Sequence, residues 1–422
     1  MRKELGRRDF IKLLSYSSAT LLFQGTTSCA PREKKPNIVL IMVDDFGYEN
    51  LGCHGGTSYK TPNIDKLAQT GIRFEHCYSA PVCTPSRVKL LTGRYSFRTG
   101  QGWGHIPSNE ITIASILQNA GYATAISGKW QLNLLKENPQ YVFEKGFDEY
   151  CCWGWHEGPR YWNPLIYQNG KILDGIHNKY GPDVCCDFIM DFIARNKNKP
   201  FFAYYAMNLT HFPKKKGPYV EPKGPSGHYQ TYSEMVEKAD DLIGRIVRKL
   251  DNLNLCRNTI IIFTGDNGTP KTVTSEMGGR KIKGGKGKLT DAGTHEPLIV
   301  NWSGNTPTGV VCNDLVDFSD FFPTLAEIGN ADIPQHVKID GKSFAPQIQG
   351  KKGQPREWAH TEWKGKAWIR TQDWKLYRDG KLYDMKNDPL ENYPIFTKSD
   401  SDNSAVMRKK LLMALERLDS TK

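Results

Sequence analysis

Asn37-Ile38-Val39-Leu40-Ile41-Met42-Val43-Asp44-Asp45 sets the architecture. An unbroken apolar run follows Asn37 and stops at two adjacent carboxylates. Continuous rather than alternating apolar character means that both faces are covered, the pattern of a buried parallel strand. The same grammar recurs along the chain. A strand pattern over residues 122–127 halts at Gly128-Lys129, one over 201–207 leads to His211, and one over 259–264 ends in Asp266-Asn267-Gly268. Between them lie helical patterns at 62–71 (Ile64, Leu67, Ala68), 111–121 (Ile113, Ile116, Leu117, Ala120) and 233–250 (Met235, Val236, Ala239, Leu242, Ile243, Ile246). Alternating strands and helices predict an α/β domain with a mostly parallel central sheet flanked by helices. Ligands of open α/β sheets bind beyond the carboxyl ends of the strands. These polar clusters, far apart in sequence, are therefore expected to converge.

The chain has 422 residues, 38% hydrophobic and 24% charged, an ordinary globular composition. That length exceeds what one compact core usually absorbs. The texture changes near residue 355, where Lys366-Ala367-Trp368-Ile369-Arg370, Trp374-Lys375-Leu376-Tyr377 and Lys381-Leu382-Tyr383 read as short strands, with Asp379-Gly380 as a hairpin turn. The expected organisation is a main domain at 36–350 and a small C-terminal antiparallel subdomain at 355–422, closed by a helix at 405–418.

The formal charge is +12, and +9 once residues 1–29 are set aside. Such an excess favours anionic partners. Without a zinc finger, a basic run with interleaved aromatics or a long basic helix, nucleic acid is not the expected partner; a small or polymeric anion is. At the N-terminus, Arg7-Arg8-Asp9-Phe10-Ile11-Lys12 precedes an apolar run from Leu13 to Phe23, small residues and Cys29. This resembles a twin-arginine export signal, which implies a periplasmic protein, or one anchored at the envelope if Cys29 carries lipid. Lipidation and simple cleavage both remain open there, because Thr26 stands where lipoprotein sites usually have Leu. The ten cysteines include the vicinal pairs Cys151-Cys152 and Cys185-Cys186, whose pairing cannot be read from sequence. No CxxC…CxxC or HExxH spacing points to zinc.

Asp44, Asp45, Asp266 and Asn267 supply three carboxylates and an amide, hard oxygen donors suited to Ca²⁺ or Mg²⁺. Strand-terminal Asp and Asn also cap ordinary turns, and it is the presence of both pairs that favours metal. Chemistry concentrates in Pro81-Val82-Cys83-Thr84-Pro85-Ser86-Arg87-Val88-Lys89-Leu90-Leu91-Thr92-Gly93. Pro85 suits a first helical turn, which puts Cys83 near a helix N-terminus where free N–H groups favour an anion. Arg87, one turn further, adds a bidentate grip on sulfate or phosphate.

Cys83-Thr84-Pro85-Ser86-Arg87 resembles the Cys-x-Pro-x-Arg motif of the formylglycine-dependent sulfatases, members of the alkaline phosphatase superfamily. The resemblance extends, in order and spacing, through Val43-Asp44-Asp45, Thr61-Pro62-Asn63-Ile64-Asp65, Leu91-Thr92-Gly93-Arg94, Gly121-Tyr122-Ala123-Thr124, Gly128-Lys129-Trp130, His211-Phe212-Pro213, Gly265-Asp266-Asn267-Gly268, Gly285-Lys286-Gly287 and Leu382-Tyr383-Asp384. It implies an alkaline-phosphatase-like fold and hydrolysis of a sulfate monoester. It also implies that a maturation enzyme oxidises Cys83 to formylglycine (3-oxoalanine), whose hydrate attacks sulfur and later collapses to release sulfate. By the same resemblance Asp44, Asp45, Asp266 and Asn267, with residue 83, hold Ca²⁺. Asp266 is the base for the nucleophile, Arg87, Lys129 and Lys286 neutralise the sulfate, and His211 protonates the leaving alcohol. Export, basic charge and family habit favour a sulfated saccharide as substrate.

One position departs from the family pattern. Relatives usually read Gly-Lys-Trp-His-Leu-Gly, where this chain has Gly128-Lys129-Trp130-Gln131-Leu132-Asn133. Gln131 cannot take a proton near neutral pH, and His54, His76 and His105 are the substitutes to be examined. Two rival functions follow: a phosphonate or phosphodiester hydrolase of the same superfamily, and a non-catalytic sulfoglycan-binding protein. Three further features carry two readings each. Lys214-Lys215-Lys216 is a solvated loop or a guide for a polyanion. Trp153, Trp155, His156 and Arg160 form a packed insert or a sugar platform. His295 lines the site or simply packs.

Overall fold

The computed structural model describes residues 35–217 and 219–421. The expected signal segment and Cys29 lie outside the described residues. Strands β1 (Asn37–Val43), β2 (Ile72–Tyr78), β3 (Ala123–Gly128), β4 (Glu149–Trp153), β5 (Ile166–Gln168), β6 (Lys171–Ile172), β7 (Phe201–Ala206), β8 (Thr259–Gly265), β11 (His295–Asn301) and β12 (Val310–Asp317) build one sheet in the order β12-β2-β11-β8-β1-β7-β3-β4-β5-β6. A hairpin of β9 (Thr274–Met277) and β10 (Arg280–Lys283) stands apart. The block from β8 to β4 is parallel throughout, and β11 runs antiparallel between β8 and β2. Hence β2 points the same way as β1, and its carboxyl end delivers the segment containing Cys83 to the same edge.

The run that opened the sequence reading is buried on both faces. Ile38, Leu40 and Met42 face one core with α2 (Cys83–Thr92), α3 (Ile113–Asn119) and α6 (Phe321–Gly329). Val39, Ile41 and Val43 face the other, under α1 (Pro62–Gln69), α4 (Gly181–Arg195) and α5 (Tyr232–Asn252). Thr231 caps α5 in a reciprocal box with Glu234, which fixes where that long amphipathic helix begins.

The C-terminal region is a four-stranded antiparallel sheet of β13 (Ala359–Trp363), β14 (Lys366–Arg370), β15 (Trp374–Tyr377) and β16 (Leu382–Asp384), packed under α7 (Asp402–Asp419). It is fastened to the main sheet by buried charge. Lys89 donates to Asp317 and to the His360 carbonyl, while Asp291 receives Arg370 and Lys375. Among the described residues no helix is long and apolar enough to cross a membrane.

Candidate active site

Cys83 is the first residue of α2, after Val82 in extended backbone. The turn before it is pinned by Ser86, whose hydroxyl donates to the Ala80 carbonyl and accepts from the Ala80 N–H. Asp45 adopts a left-handed backbone (φ 60°), so the chain turns sharply off β1 and both aspartates meet one space. Thr210 N–H donates to the Asp44 carbonyl and Gly287 N–H to the Pro81 carbonyl, bringing the His211 and Lys286 loops to the same edge.

Asp44, Asp45, Asp266 and Cys83 all present ligand atoms within 4.8 Å of one another, and all are buried. Asn267 joins them: its Nδ2 donates to Asp45 Oδ1 at 2.9 Å, while its Oδ1 is buried without a partner. An unpaired buried acceptor is costly, and one beside three carboxylates is the expected mark of a cation site. The donors are oxygens apart from Sγ, so the cluster fits a hard divalent ion.

Each carboxylate is matched by a cation. Lys129 Nζ lies 2.6 Å from Asp44 Oδ2, Lys286 Nζ 2.6 Å from Asp45 Oδ2, and Arg87 donates through Nε and Nη2 to Asp266 Oδ2 at 3.0 and 2.8 Å. Arg87 Nη1 also caps the Lys129 carbonyl at 3.0 Å. Burial pushes Asp266 up to about 6, helped by Asp44. Asp44 is itself held below the usual range, because Lys129, His211 and Arg87 outweigh its burial. Burial likewise pushes the Cys83 thiol up to about 12, against Lys129 and Lys286. His211 Nε2 stands 3.8 Å from Asp45 Oδ2, and burial draws its pKa down to about 3 in spite of Asp45. All nine residues expected from the sequence therefore lie in one connected cluster.

Other expectations resolve differently. Gln131 is buried with φ 48° and an unpartnered Oε1. The three candidate histidines make their contacts elsewhere: His54 with Arg73, His76 with Tyr78, His105 against Tyr141. His295 is a packing residue, stacked on Tyr48 at 4.1 Å and bonded to the Glu75 carbonyl. Trp153 and Arg160 form a packed insert, the guanidinium lying 4.3 Å over the ring and paired with buried Glu221. Lys214 and Lys215 rest on the rings of Tyr219 and Tyr229.

Sequence reasoning missed the groups behind the site. Glu296 and Glu49 are fully buried acids whose pKa burial raises, and they accept hydroxyls from Ser79 and Thr269. Tyr161 donates to the carbonyls of Asn208 and His211, which fixes the loop after β7. Neither acid has a sequence signal, since each lies in a segment whose neighbours are known only from the fold.

The sulfatase family model matches residues 36–331, a stretch that includes the whole acidic cluster. A second model, the C-terminal region of N-sulphoglucosamine sulphohydrolase, matches 286–420. The chain is 30% identical to human (Homo sapiens) arylsulfatase A, covering 85% of this chain and 83% of that one. It is also 30% identical to pig (Sus scrofa) N-acetylgalactosamine-6-sulfatase, covering 82% and 74%. Among solved structures, Ps i-CgsB in complex with k-i-k-neocarrahexaose superposes with a TM-score of 0.76 at 26% identity, covering 91% of this chain and 93% of that one. A structure solved with D-glucosamine-2-N,6-O-disulfate shares the fold at a TM-score of 0.76 and 23% identity, over 92% and 98%. With the family model spanning most of the chain and these relatives matching along nearly its whole length, this protein belongs to the sulfatase family and is a sulfuric ester hydrolase.

Proposed function

We propose that this sulfatase is exported to the cell envelope, is matured by oxidation of Cys83 to formylglycine, holds Ca²⁺ through Asp44, Asp45, Asp266 and Asn267, and removes sulfate from a sulfated saccharide. The observation that carries the reading is the juxtaposition of Cys83, at the head of α2, with three buried carboxylates and the cations Arg87, Lys129 and Lys286. A thiol with its pKa near 12 is neither a ready nucleophile nor a ready ligand at neutral pH. Once converted and hydrated, residue 83 carries two geminal hydroxyls, one of which is the nucleophile toward sulfur. When bound, calcium supplies a Lewis acid that polarises a sulfate oxygen.

The chain's own groups do the rest. Three cationic side chains offset three carboxylates, so a bound divalent ion leaves an excess of two positive charges facing the sulfate monoester. Arg87, 1% exposed, offers its planar donors where water does not compete. Asp266 accepts the proton of the attacking hydroxyl, a role its place beside residue 83 in the cluster supports. His211 Nδ1 faces the Phe212 carbonyl at 3.0 Å, an acceptor only, so Nδ1 carries the ring's first proton. Nε2 can therefore donate only from the imidazolium, and in that form it hands its proton to the leaving oxygen.

A saccharide is favoured by the solved relative with bound neocarrahexaose and by the net positive charge of the chain. The phosphonate monoester hydrolase of Agrobacterium radiobacter shares the fold at 20% identity and a TM-score of 0.67, which speaks to architecture alone. The test is sulfate release by matured protein from a panel of defined sulfated saccharides, beside 4-nitrophenyl sulfate and an aryl phosphodiester. Release from a saccharide, loss in EDTA and recovery with calcium are expected. Preferential phosphodiester cleavage, or saccharide binding without release by fully converted protein, would overturn the reading.

A further inference from the structure

Trp103 is 55% exposed, unusual for so large a ring in a chain whose other tryptophans include fully buried Trp130 and Trp368. It does not stand alone. Its ring packs at a tilt against Trp363, 6.2 Å between centroids with the planes 52° apart. Trp363 ends β13, and the exposed Lys364 that follows holds its ammonium 5.7 Å from the Trp363 ring. The two rings come from the main domain and from the first hairpin of the C-terminal sheet.

The loop that carries Trp103 is tied to the nucleophile helix. Gly104 N–H donates to Thr84 Oγ1 at 3.1 Å, and Thr84 follows Cys83 directly. Gly104 has φ +70° and lies so close to the Trp155 ring that a Cβ there would overlap it. Two residues on, Ile106 N–H bonds the Leu132 carbonyl, in the segment that carries Lys129 and Gln131. With about 3.8 Å per Cα step, the Cα of Trp103 lies within roughly 15 Å of that of Cys83. A sugar ring next to the reacting one falls within that reach. The loop is anchored on three sides, yet its largest side chain is left in solvent.

We propose that Trp103 and Trp363, with Lys364 at the rim, form a saccharide subsite that stacks a sugar ring next to the one being desulfated. The inference rests on the sulfated-saccharide reading and deepens it by assigning the enzyme an oligosaccharide rather than a monosaccharide. The apolar C–H face of a pyranose matches an aromatic plane, and Trp103, propped against Trp363, presents such a plane to solvent. Lys364 supplies the charge that favours a sulfated ring over a neutral one. Trp155, which the sequence offered for this role, lies under Gly104 and is nearly fully buried.

The test uses the full chain carrying Cys83→Ala, titrated by intrinsic tryptophan fluorescence. The probes are carrageenan, chondroitin sulfate and heparan sulfate hexasaccharides, with inorganic sulfate as the small-anion control. Trp103→Ala and Trp363→Ala should each weaken the best-bound hexasaccharide about tenfold, equivalent to about 1.4 kcal/mol. Sulfate affinity should stay within twofold, and Trp103→Phe should recover most of the loss. Unchanged hexasaccharide binding, or equal losses for hexasaccharide and sulfate, would overturn the subsite. A fall in thermal midpoint with no change in the hexasaccharide-to-sulfate affinity ratio would show that the pair only fastens two domains, and would overturn it too. Failure of the underlying reading registers separately, as matured wild-type protein that hydrolyses 4-nitrophenyl sulfate but none of the saccharides.

Discussion

Replacing Arg87 by methionine keeps the length of the side chain and deletes its charge and three hydrogen bonds, two to Asp266 and one to the Lys129 carbonyl. The pair is almost wholly inaccessible, 1% for Arg87 and 0% for Asp266, so solvent does not screen it. Removing one partner of a buried ion pair costs about 3–5 kcal/mol, because the other charge is left uncompensated. An unfolding entropy of about 2.1 cal/mol/K per residue over roughly 390 folded residues gives about 0.8 kcal/mol/K, so the thermal midpoint should fall by about 4–6 °C. Scanning calorimetry on EDTA-treated protein measures this directly. Calcium should then restore more stability to the variant than it adds to wild type, since it neutralises the carboxylate that Arg87 no longer offsets. In wild type the gain at a hundredfold excess over Kd is about 2.7 kcal/mol, or roughly 3 °C. Adding inorganic sulfate should raise apparent calcium affinity in wild type, and much less in the variant. A midpoint within 1 °C of wild type in EDTA, or identical calcium shifts in the two proteins, would refute the idea that Arg87 balances the cluster.

Three more outcomes follow from the same geometry. Cys83→Ala should abolish sulfate release while leaving the thermal midpoint nearly unchanged, and peptide mass mapping of active wild-type protein should find an aldehyde at 83; an unmodified thiol in active material would end the proposed chemistry. His211→Asn should lower kcat about a hundredfold or more for a sugar sulfate and far less for 4-nitrophenyl sulfate, whose leaving group needs no proton; equal losses would remove His211 from the acid role. Asp291 is held below the usual carboxylate range because Arg370 and Lys375 outweigh its burial, so its stabilising contribution is complete above about pH 4 and is lost as pH falls through the folded value. Asp291→Asn should therefore lower the urea midpoint at pH 7 and converge on wild type in acid, and a gap that does not change with pH would contradict this.

The parallel core was legible because β1, β3, β7 and β8 read as near-continuous apolar runs, and β1, β3 and β8 stop at glycine or charged residues. Helix α5 was legible too, because its capping box and apolar stripe agree. Strands β2, β11 and β12 escaped for a shared reason. Ile72–Tyr78 mixes Arg73, Glu75 and His76 into its run, β11 begins His295-Glu296-Pro297, and β12 opens on an exposed edge. Their pairing is set by the sheet and not by local pattern. The strand-end residues of the site could be named because each sits at a break in periodicity. Lys286 could be named only through resemblance, and so could the roles of His211 and Cys83, which pattern alone placed after a strand and at a helix start. Glu49, Glu296, Tyr161 and the Trp103–Trp363 pair were out of reach altogether, because each matters through a neighbour distant in the chain.

The arrangement of ion pairs also indicates how the site is prepared for two guests of opposite sign. Every proposed metal-binding carboxylate is paired with a proposed sulfate-binding cation: Asp44 with Lys129, Asp45 with Lys286, Asp266 with Arg87. The cluster forms three buried pairs, and Asn267 Oδ1 and Gln131 Oε1 are among the buried acceptors without a partner. A cation among the carboxylates would loosen their hold on the lysines and the arginine, leaving these to face the incoming anion. An anion draws those cations off and frees the carboxylates for metal. Each guest therefore strengthens the other, and by linkage the gain is the same in both directions. On this argument the buried charges do not serve stability, for which apolar residues would do as well. They make a site that is folded and neutral when empty and becomes strongly electropositive when metal enters.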